Sequence, residues 1–90
     1  MPKAVVDPEE LRRFAQSLKH FSGELQQETS GLQARFAALG DTWRDQEHEK
    51  FAREFTQTMS VLARFIEVAN EHVPFLMRKA ERIEEYLHQR

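Results

Sequence analysis

Apolar side chains recur along this chain at alternating steps of three and four residues, in two long runs separated by a short polar segment. The first run places leucines seven residues apart, at Leu11, Leu18, Leu25, Leu32 and Leu39. The second run repeats this spacing at Phe55, Leu62, Ala69, Leu76 and Ile83. Such spacing is typical of an α-helix with one apolar stripe. The pattern therefore predicts an all-α chain that folds as an antiparallel helical hairpin.

The ends of the predicted helices carry recognisable capping residues. Asp7 followed by Pro8 favours a helix start, because an aspartate side chain accepts from free backbone amides and proline suits the first helical position. Gly40 is placed to end the first helix in a left-handed conformation. Either Thr42 or Asp45 can cap the second helix. We predict one domain over 1–90, with helix one over about 8–39, a turn over 40–45 and helix two over about 46–88.

Pro74 interrupts the second run without disturbing its apolar spacing. Proline removes one backbone hydrogen bond and bends a helix, so two alternatives follow: a kinked continuous helix, or a break into two helices near Pro74. At 1.5 Å per residue the first helix would be ~48 Å long and the second up to ~63 Å. We expect the second helix to overhang the first with its tail, from Phe75 onwards.

The amount of apolar surface predicts association. The hydrophobic fraction is 40% and includes seven phenylalanines, which is more than a two-helix hairpin can hide. A dimeric four-helix bundle would bury the second face of each hairpin. Leu25→Asp or Leu62→Asp should then prevent assembly. The residues expected to form the core and dimer seam are Leu11, Phe14, Leu18, Phe21, Leu25, Leu32, Phe55, Leu62, Phe65, Leu76 and Ile83.

Charge and composition argue against several other classes of partner. The net charge is −2, and both signs are interspersed along the predicted helices. Nucleic acid would require a clustered basic face, and the bases of the C-terminal segment alternate with acids. No apolar run is long enough for a membrane span or a signal peptide. We therefore expect neither nucleic-acid nor membrane binding, and either retention in the cytoplasm or export without a cleaved signal peptide.

Catalytic and metal chemistry have few candidate residues. Asp45 with His48, and Glu85 with His88, share the spacing used by di-iron helical bundles. They lie at opposite ends of helix two, however, and the acids at its start also favour the helix dipole. The chain has no cysteine and no phosphate-binding glycine loop. We predict no cofactor and no enzymatic activity, with a metal-binding bundle as a remote alternative.

The turn contains the only tryptophan of the chain, within Gly40-Asp41-Thr42-Trp43-Arg44-Asp45. A hairpin of about ninety residues with a lone tryptophan at its turn resembles the WXG family of small type VII secretion proteins. That family reads Trp-Xaa-Gly at the turn, whereas this chain reads Trp43-Arg44-Asp45. Gly40 can supply the flexible turn residue instead.

The resemblance implies a function in association and export. Family members are exported without a cleaved signal peptide, as homodimers or heterodimers, and the type VII secretion ATPase or a co-exported substrate is an implied partner. An exported pair commonly carries Tyr-Xaa-Xaa-Xaa-Asp/Glu near a C-terminus. Here Tyr86 is followed four places later by Arg90 instead of an acid. Either a partner carries the signal, or the chain is a divergent relative, such as a cytoplasmic coiled-coil adaptor that is not exported.

Two groups of residues are therefore candidates for recognition. Tyr86 and Arg90 mark the tail. The turn offers Gly40, Trp43, Arg44 and Asp45. The alternative for Trp43 is structural: its ring would cap the end of the apolar core with the indole N–H near water.

Overall fold

The computed structural model describes residues 6–88, which form two α-helices joined by a short turn. Helix α1 spans Pro8–Leu39 and helix α2 spans Gln46–His88. No strand occurs within the described residues. The predicted all-α hairpin is confirmed.

The start of α1 follows from its capping residue. Asp7 has extended backbone angles (φ −69°, ψ 121°), and its carboxylate accepts a hydrogen bond from the Glu9 N–H at 2.9 Å. Its carbonyl accepts the first helical bond, from the Leu11 N–H at 3.0 Å. Pro8 occupies the first turn, where its missing N–H costs nothing. This is the start that the sequence predicts.

Helix α2 runs through Pro74 without a break. Proline has no N–H to offer the carbonyl of Asn70, four residues earlier, so one rung of the helical ladder is missing there. The helix nevertheless resumes at once and continues to His88. Of the two alternatives that the sequence left open, the structure has the continuous helix.

The hairpin is a thin rod. Its principal dimensions are 69 × 23 × 14 Å and its radius of gyration is 20.1 Å, against about 12 Å for a compact domain of this length. The accessible surface is 7195 Å², whereas a compact monomer of this mass would expose about 5,500 Å². Two helices alone therefore leave a large surface uncovered.

Small side chains dominate the line along which the helices touch. Among the described residues, those that are buried are Ala15, Ser22, Met59, Ile66, Ala69 and Ala80. In α1, Ala15 and Ser22 are seven residues apart. In α2, Met59 and Ile66 are seven residues apart, and Ala80 follows Ile66 by two heptads. We call the six buried residues the inner line. Its small side chains let the two backbones approach closely, but they bury little apolar area.

Two polar contacts between the helices define their antiparallel register. The buried Ser22 hydroxyl donates to Asn70 Oδ1 at 3.0 Å near the middle of the rod. At the free end, Arg12 pairs with Glu84, and this hydrogen bond raises the pKa of Arg12. A buried hydroxyl needs such a partner, and sliding the helices by one turn would remove it.

This register contradicts the expected overhang at the tail. Arg12 lies four residues after the start of α1, and its partner Glu84 lies four residues before the end of α2. The two helices therefore end level at the free end of the rod, and Ala80 is fully buried there. The extra length of α2, with 43 residues against 32 in α1, lies at the turn instead.

The inner line should tolerate enlargement poorly. We expect Ala80→Leu to lower the free energy of unfolding by about 1–3 kcal/mol, because a fully buried alanine leaves no room for three more carbons without moving the helices apart. Ala38→Leu is the matched control: Ala38 is exposed on α1, and we expect a change within about 0.5 kcal/mol. Urea unfolding at one protein concentration measures both. Equal effects of the two substitutions would contradict the assignment of the core.

Candidate interaction site

The residues predicted as the seam lie beside the inner line and not within it. None of them is buried: Leu11, Leu18, Leu25, Phe55, Leu62, Leu76 and Ile83 are half-buried, whereas Phe14, Phe21, Leu32 and Phe65 are exposed. We call this set the apolar face. Within one chain the small residues of the inner line are buried and the heptad leucines are not. The expected role of the apolar face as a dimer seam stays a prediction.

Both helices contribute to one continuous apolar face. The rings of Phe21 in α1 and Phe65 in α2 meet edge to face, with centroids 6.1 Å apart and planes at 83°. Both rings are nevertheless about half exposed, at 52% and 42%. View each helix from its N-terminus and turn in one direction away from its line of contact with the other helix. In an antiparallel pair, the residues reached in this way on the two helices lie on the same side of the pair. The apolar face is thus a broad stripe along one side of the rod.

The turn departs from the predicted glycine cap. Gly40 has right-handed helical angles (φ −62°, ψ −15°), and no residue among those described has a positive φ. The backbone tightens into short turns where the chain leaves α1. The Gly40 N–H donates to the Ala37 carbonyl at 3.2 Å, and the Trp43 N–H donates to the Leu39 carbonyl at 3.0 Å. The predicted left-handed cap is therefore wrong, since these bonds satisfy the last carbonyls of α1 without it.

Trp43 belongs to an aromatic cluster that closes the turn end of the rod. Its ring meets His48 edge to face at 5.0 Å and lies 6.3 Å from Phe51. The His48 ring stacks on Phe36 at 5.3 Å with planes 11° apart, and Phe36 also contacts Phe55 at 4.7 Å. We call these five residues the tip cluster. Each such ring contact contributes about 0.5–1.5 kcal/mol beyond area burial, so Trp43 covers the end of the core as the structural alternative predicts.

Arg44 and Asp45 have separate roles in the turn. The Arg44 side chain turns back and donates from Nε to the Gly40 carbonyl at 3.3 Å. Asp45 accepts the His48 N–H at 2.9 Å on its carboxylate, and its carbonyl accepts the Glu49 N–H at 3.3 Å. Asp45 is therefore the cap of α2, in preference to Thr42. The residue whose N–H it accepts, His48, is also the one whose ring stacks on Phe36.

The family model described as "Proteins of 100 residues with WXG" matches residues 5–86, nearly the whole chain, including α1, the Trp43 turn and α2 as far as Tyr86. The chain belongs to the WXG100 family. It is accordingly a small helical-hairpin protein of the type VII secretion-associated group. No curated protein matches the sequence.

Solved structures agree with the assignment. The crystal structure of the secreted protein EsxB from Bacillus anthracis strain Sterne is similar with a TM-score of 0.76 at 27% identity, over 96% of this chain and 98% of that one. A proline-to-alanine variant of EsxB is similar with a TM-score of 0.83 at 26% identity, over 96% and 100% of the two chains. The likeness covers the full length of the hairpin on both sides.

This WXG100 protein lacks the glycine of its family motif, and the geometry of the turn accounts for its tolerance of aspartate. Asp45 begins α2 from a position where its side chain is used as a cap. Glycine is favoured where φ is positive, and none of the described residues requires that conformation. A glycine at this position would contribute conformational freedom. Asp45 contributes instead a hydrogen bond to the His48 N–H at the start of α2.

The tail of the WXG100 protein presents one of its two candidate residues. Tyr86 lies in the last turns of α2 and is 72% exposed, one of the most exposed large side chains. Arg90 lies outside the described residues. The Tyr86 ring is thus available to a partner, at the end of the rod opposite Trp43.

The histidines do not form a metal centre in the described residues, where no group of three or more histidine, cysteine or acidic side chains is arranged to hold an ion. His48 is engaged in the tip cluster, and its spacing to Asp45 serves the cap instead. His20 Nε2 lies 3.2 Å from Glu24 Oε2, and His72 Nδ1 lies 2.8 Å from the Val68 carbonyl, both on the surface. Within residues 6–88 no helix has both the length and the apolar character to cross a membrane.

The cap at Asp45 can be tested by substitution. We expect Asp45→Ala to lower the free energy of unfolding by about 1 kcal/mol, because the His48 N–H loses its acceptor. Asp45→Asn keeps an acceptor and should change stability by less than half as much. Asp41→Ala is the control for charge, since Asp41 is exposed and makes only backbone bonds. Equal losses for Asp41→Ala and Asp45→Ala in urea unfolding would show that the cap contributes nothing.

Proposed function

We propose that this protein forms a homodimeric four-helix bundle through its apolar face and acts by protein–protein binding, exported by the type VII system, and not by catalysis. The observation that carries the proposal is the division of its apolar residues. Small side chains form the inner line, while the phenylalanines and leucines of the apolar face are left at the surface. A soluble monomer rarely exposes such a continuous patch.

The size of the uncovered surface fits this role. A standard interface buries about 800 Å² on each partner. The accessible surface of the hairpin, 7195 Å², exceeds that of a compact monomer by more than this amount. Covering the apolar face would also add the second layer that two helices lack. Both arguments, from the exposed apolar residues and from the excess surface, rest on the geometry of this chain and do not depend on any related protein.

A second copy suits the apolar face because the face contains matching halves. Phe14 and Phe21 of α1 run beside Phe65 of α2 along one side of the rod, without a charged side chain among the residues of the face. A two-fold axis would bring identical stripes together, as symmetric dimers require. A related WXG100 chain with a similar stripe would form a heterodimer in the same way, and a mass measurement distinguishes the two.

Export is supported by the family and by the likeness to EsxB, which is described as a secreted protein. Two groups of residues are proposed for recognition by a secretion component, such as the type VII ATPase, or by a co-exported substrate. The turn residues Gly40, Trp43, Arg44 and Asp45 lie at one end of the rod and Tyr86 lies near the other. Arg90, the second tail residue, is outside the described residues. Trp43 is half-buried, so only the outer part of its ring is available for contact.

A cytoplasmic adaptor is the second candidate function. The observation in its favour is that this chain departs from the family at two places: Asp45 stands where the motif has glycine, and Arg90 stands where the export signal has an acid. The hairpin and its apolar face would serve an adaptor equally well. Only localisation separates the two candidates.

Dimerisation can be tested with one charge on the apolar face. We expect the wild-type chain to show twice its mass of 10.6 kDa by light scattering, and Phe14→Glu to show the single mass. Phe14 is 58% exposed in the hairpin, so a carboxylate there stays solvated in the monomer but would be buried without a partner in the dimer. Gln16→Glu is the matched control, because Gln16 lies on a polar groove of the same helix. A monomeric wild type, or a dimeric Phe14→Glu, would contradict this interface.

Export can be tested in the native host. We expect tagged protein in the culture supernatant of the wild-type strain and only in the lysate of a strain that lacks the type VII secretion ATPase. A cytoplasmic marker enzyme controls for lysis. Retention in both strains would reject export and favour the adaptor, whatever the oligomeric state.

A further inference from the structure

Phe65 lies at the centre of a charge-free apolar patch that the leucine repeat does not reveal. The residues three and four positions to either side of Phe65 share its side of α2. They are Val61, Leu62, Val68 and Ala69, all of them apolar. Val61 is 63% exposed and Phe65 is 42% exposed, while Leu62 and Val68 are half-buried. We call these five residues the α2 patch.

The other exposed phenylalanines of the described residues have ionisable neighbours at the same spacing. Phe14, Phe21 and Phe51 each have at least one acid three or four residues away. Phe75 is the extreme case, because all four of its neighbours are ionisable: Glu71, His72, Arg78 and Lys79. A charged side chain loses hydration when a partner covers the ring beside it. The α2 patch is therefore the exposed aromatic surface that a partner covers with the smallest desolvation penalty.

The charges nearest to Phe65 in the sequence are turned away from it. Arg64 and Glu67 lie about 100° and 200° around the helix from Phe65. They pair with each other at 3.0 Å, and they line a polar groove that includes Gln26 of α1. Neither charge therefore interrupts the α2 patch.

Phe21 supports the ring of Phe65 from α1. The two rings meet edge to face with their centroids 6.1 Å apart. Ser22, the next residue of α1, is bound to Asn70, so the register of the helices is fixed beside this pair of rings. A side chain that is already held in place loses little conformational freedom when a partner covers it. The exposed part of the Phe65 ring is thus preorganised for contact.

The pair of rings also lies near the middle of the apolar face along the rod. The α1 residues of the apolar face span 11–32, and Phe21 lies midway between these limits. The α2 residues span 55–83, and Phe65 lies about one turn from their midpoint. Residues that carry most of the binding energy cluster near the centre of an interface. In a symmetric dimer, the centre of the interface meets its own copy.

We propose that the two-fold axis of the homodimer passes beside Phe65, so that the α2 patch of one copy packs on the α2 patch of the other. The proposal rests on the proposed dimerisation and adds which helix forms its centre. Helix α2 is favoured because Val61 and Val68 widen its apolar surface, whereas Phe21 of α1 is flanked by Ser17 and Glu24. A patch without charges meets its own copy without electrostatic repulsion.

Phe65→Ala and Phe75→Ala form a matched pair for the first test, because both rings belong to α2 and are 42% and 47% exposed. We expect Phe65→Ala to raise the dissociation constant of the dimer about tenfold or more, and Phe75→Ala to raise it by less than about threefold. Sedimentation equilibrium over a dilution series measures both constants, and circular dichroism verifies that the helices are intact. Equal effects of the two substitutions would overturn the proposal.

A single cysteine tests directly which residues meet across the axis, because the chain has none of its own. Under oxidising conditions Phe65→Cys should form a covalent dimer, since a disulfide requires Cα atoms within about 7 Å of each other. Oxidation traps this dimer even where loss of the ring weakens association. Phe75→Cys should remain monomeric on a non-reducing gel, because its ionisable neighbours stay solvated outside the contact. A covalent dimer with Phe75→Cys and none with Phe65→Cys would place the axis elsewhere.

The two proposals fail in different ways. A wild-type chain that is monomeric in the dilution series would overturn both the homodimer and the position of its axis. A wild-type dimer whose dissociation constant is unchanged by Phe65→Ala would leave the homodimer in place and overturn only the assignment of its centre to α2.

Discussion

Two helices in contact can bury only the line along which they touch, and this constraint governs the whole protein. Ala15 and Ala80 occupy that line because a close approach of the backbones leaves no space for larger side chains. The apolar area that would normally stabilise a domain of this size is therefore displaced to the sides of the rod. The surface that remains exposed includes the apolar face, which we propose as the dimer interface.

The register between the helices decides what lies at each end of the rod. Ser22 with Asn70, and Arg12 with Glu84, hold the free ends level. The surplus length of α2 consequently extends past the end of α1, where it would present an uncovered helical face. The turn folds Trp43 back onto His48 to cover that face. The fold of this turn thus has a mechanical reason, and the aspartate at the third motif position is compatible with it because Asp45 caps the helix that Trp43 covers.

Helix α2 presents different chemistry on different sides. Its inner line contacts α1, and its leucines and Phe65 join the apolar face. Helical periodicity distributes residues that are adjacent in sequence over these different sides of one helix of 43 residues.

The sequence by itself determined the two helices, the cap at Asp7 and the family resemblance, because periodicity and capping are local properties. It left the cap of α2 open between Thr42 and Asp45. It did not identify the core: Ala15 and Ser22 carry little hydrophobic signal, and the leucine repeat that dominates the pattern marks the face left open. The seven-residue spacing of Ala15, Ser22, Thr29 and Phe36 was the signal that could have revealed the inner line. Only the tertiary structure decided the level free ends and the right-handed Gly40 at the turn. Each of these depends on how one helix is placed against the other, and a periodic pattern states which residues share a face without stating what covers it.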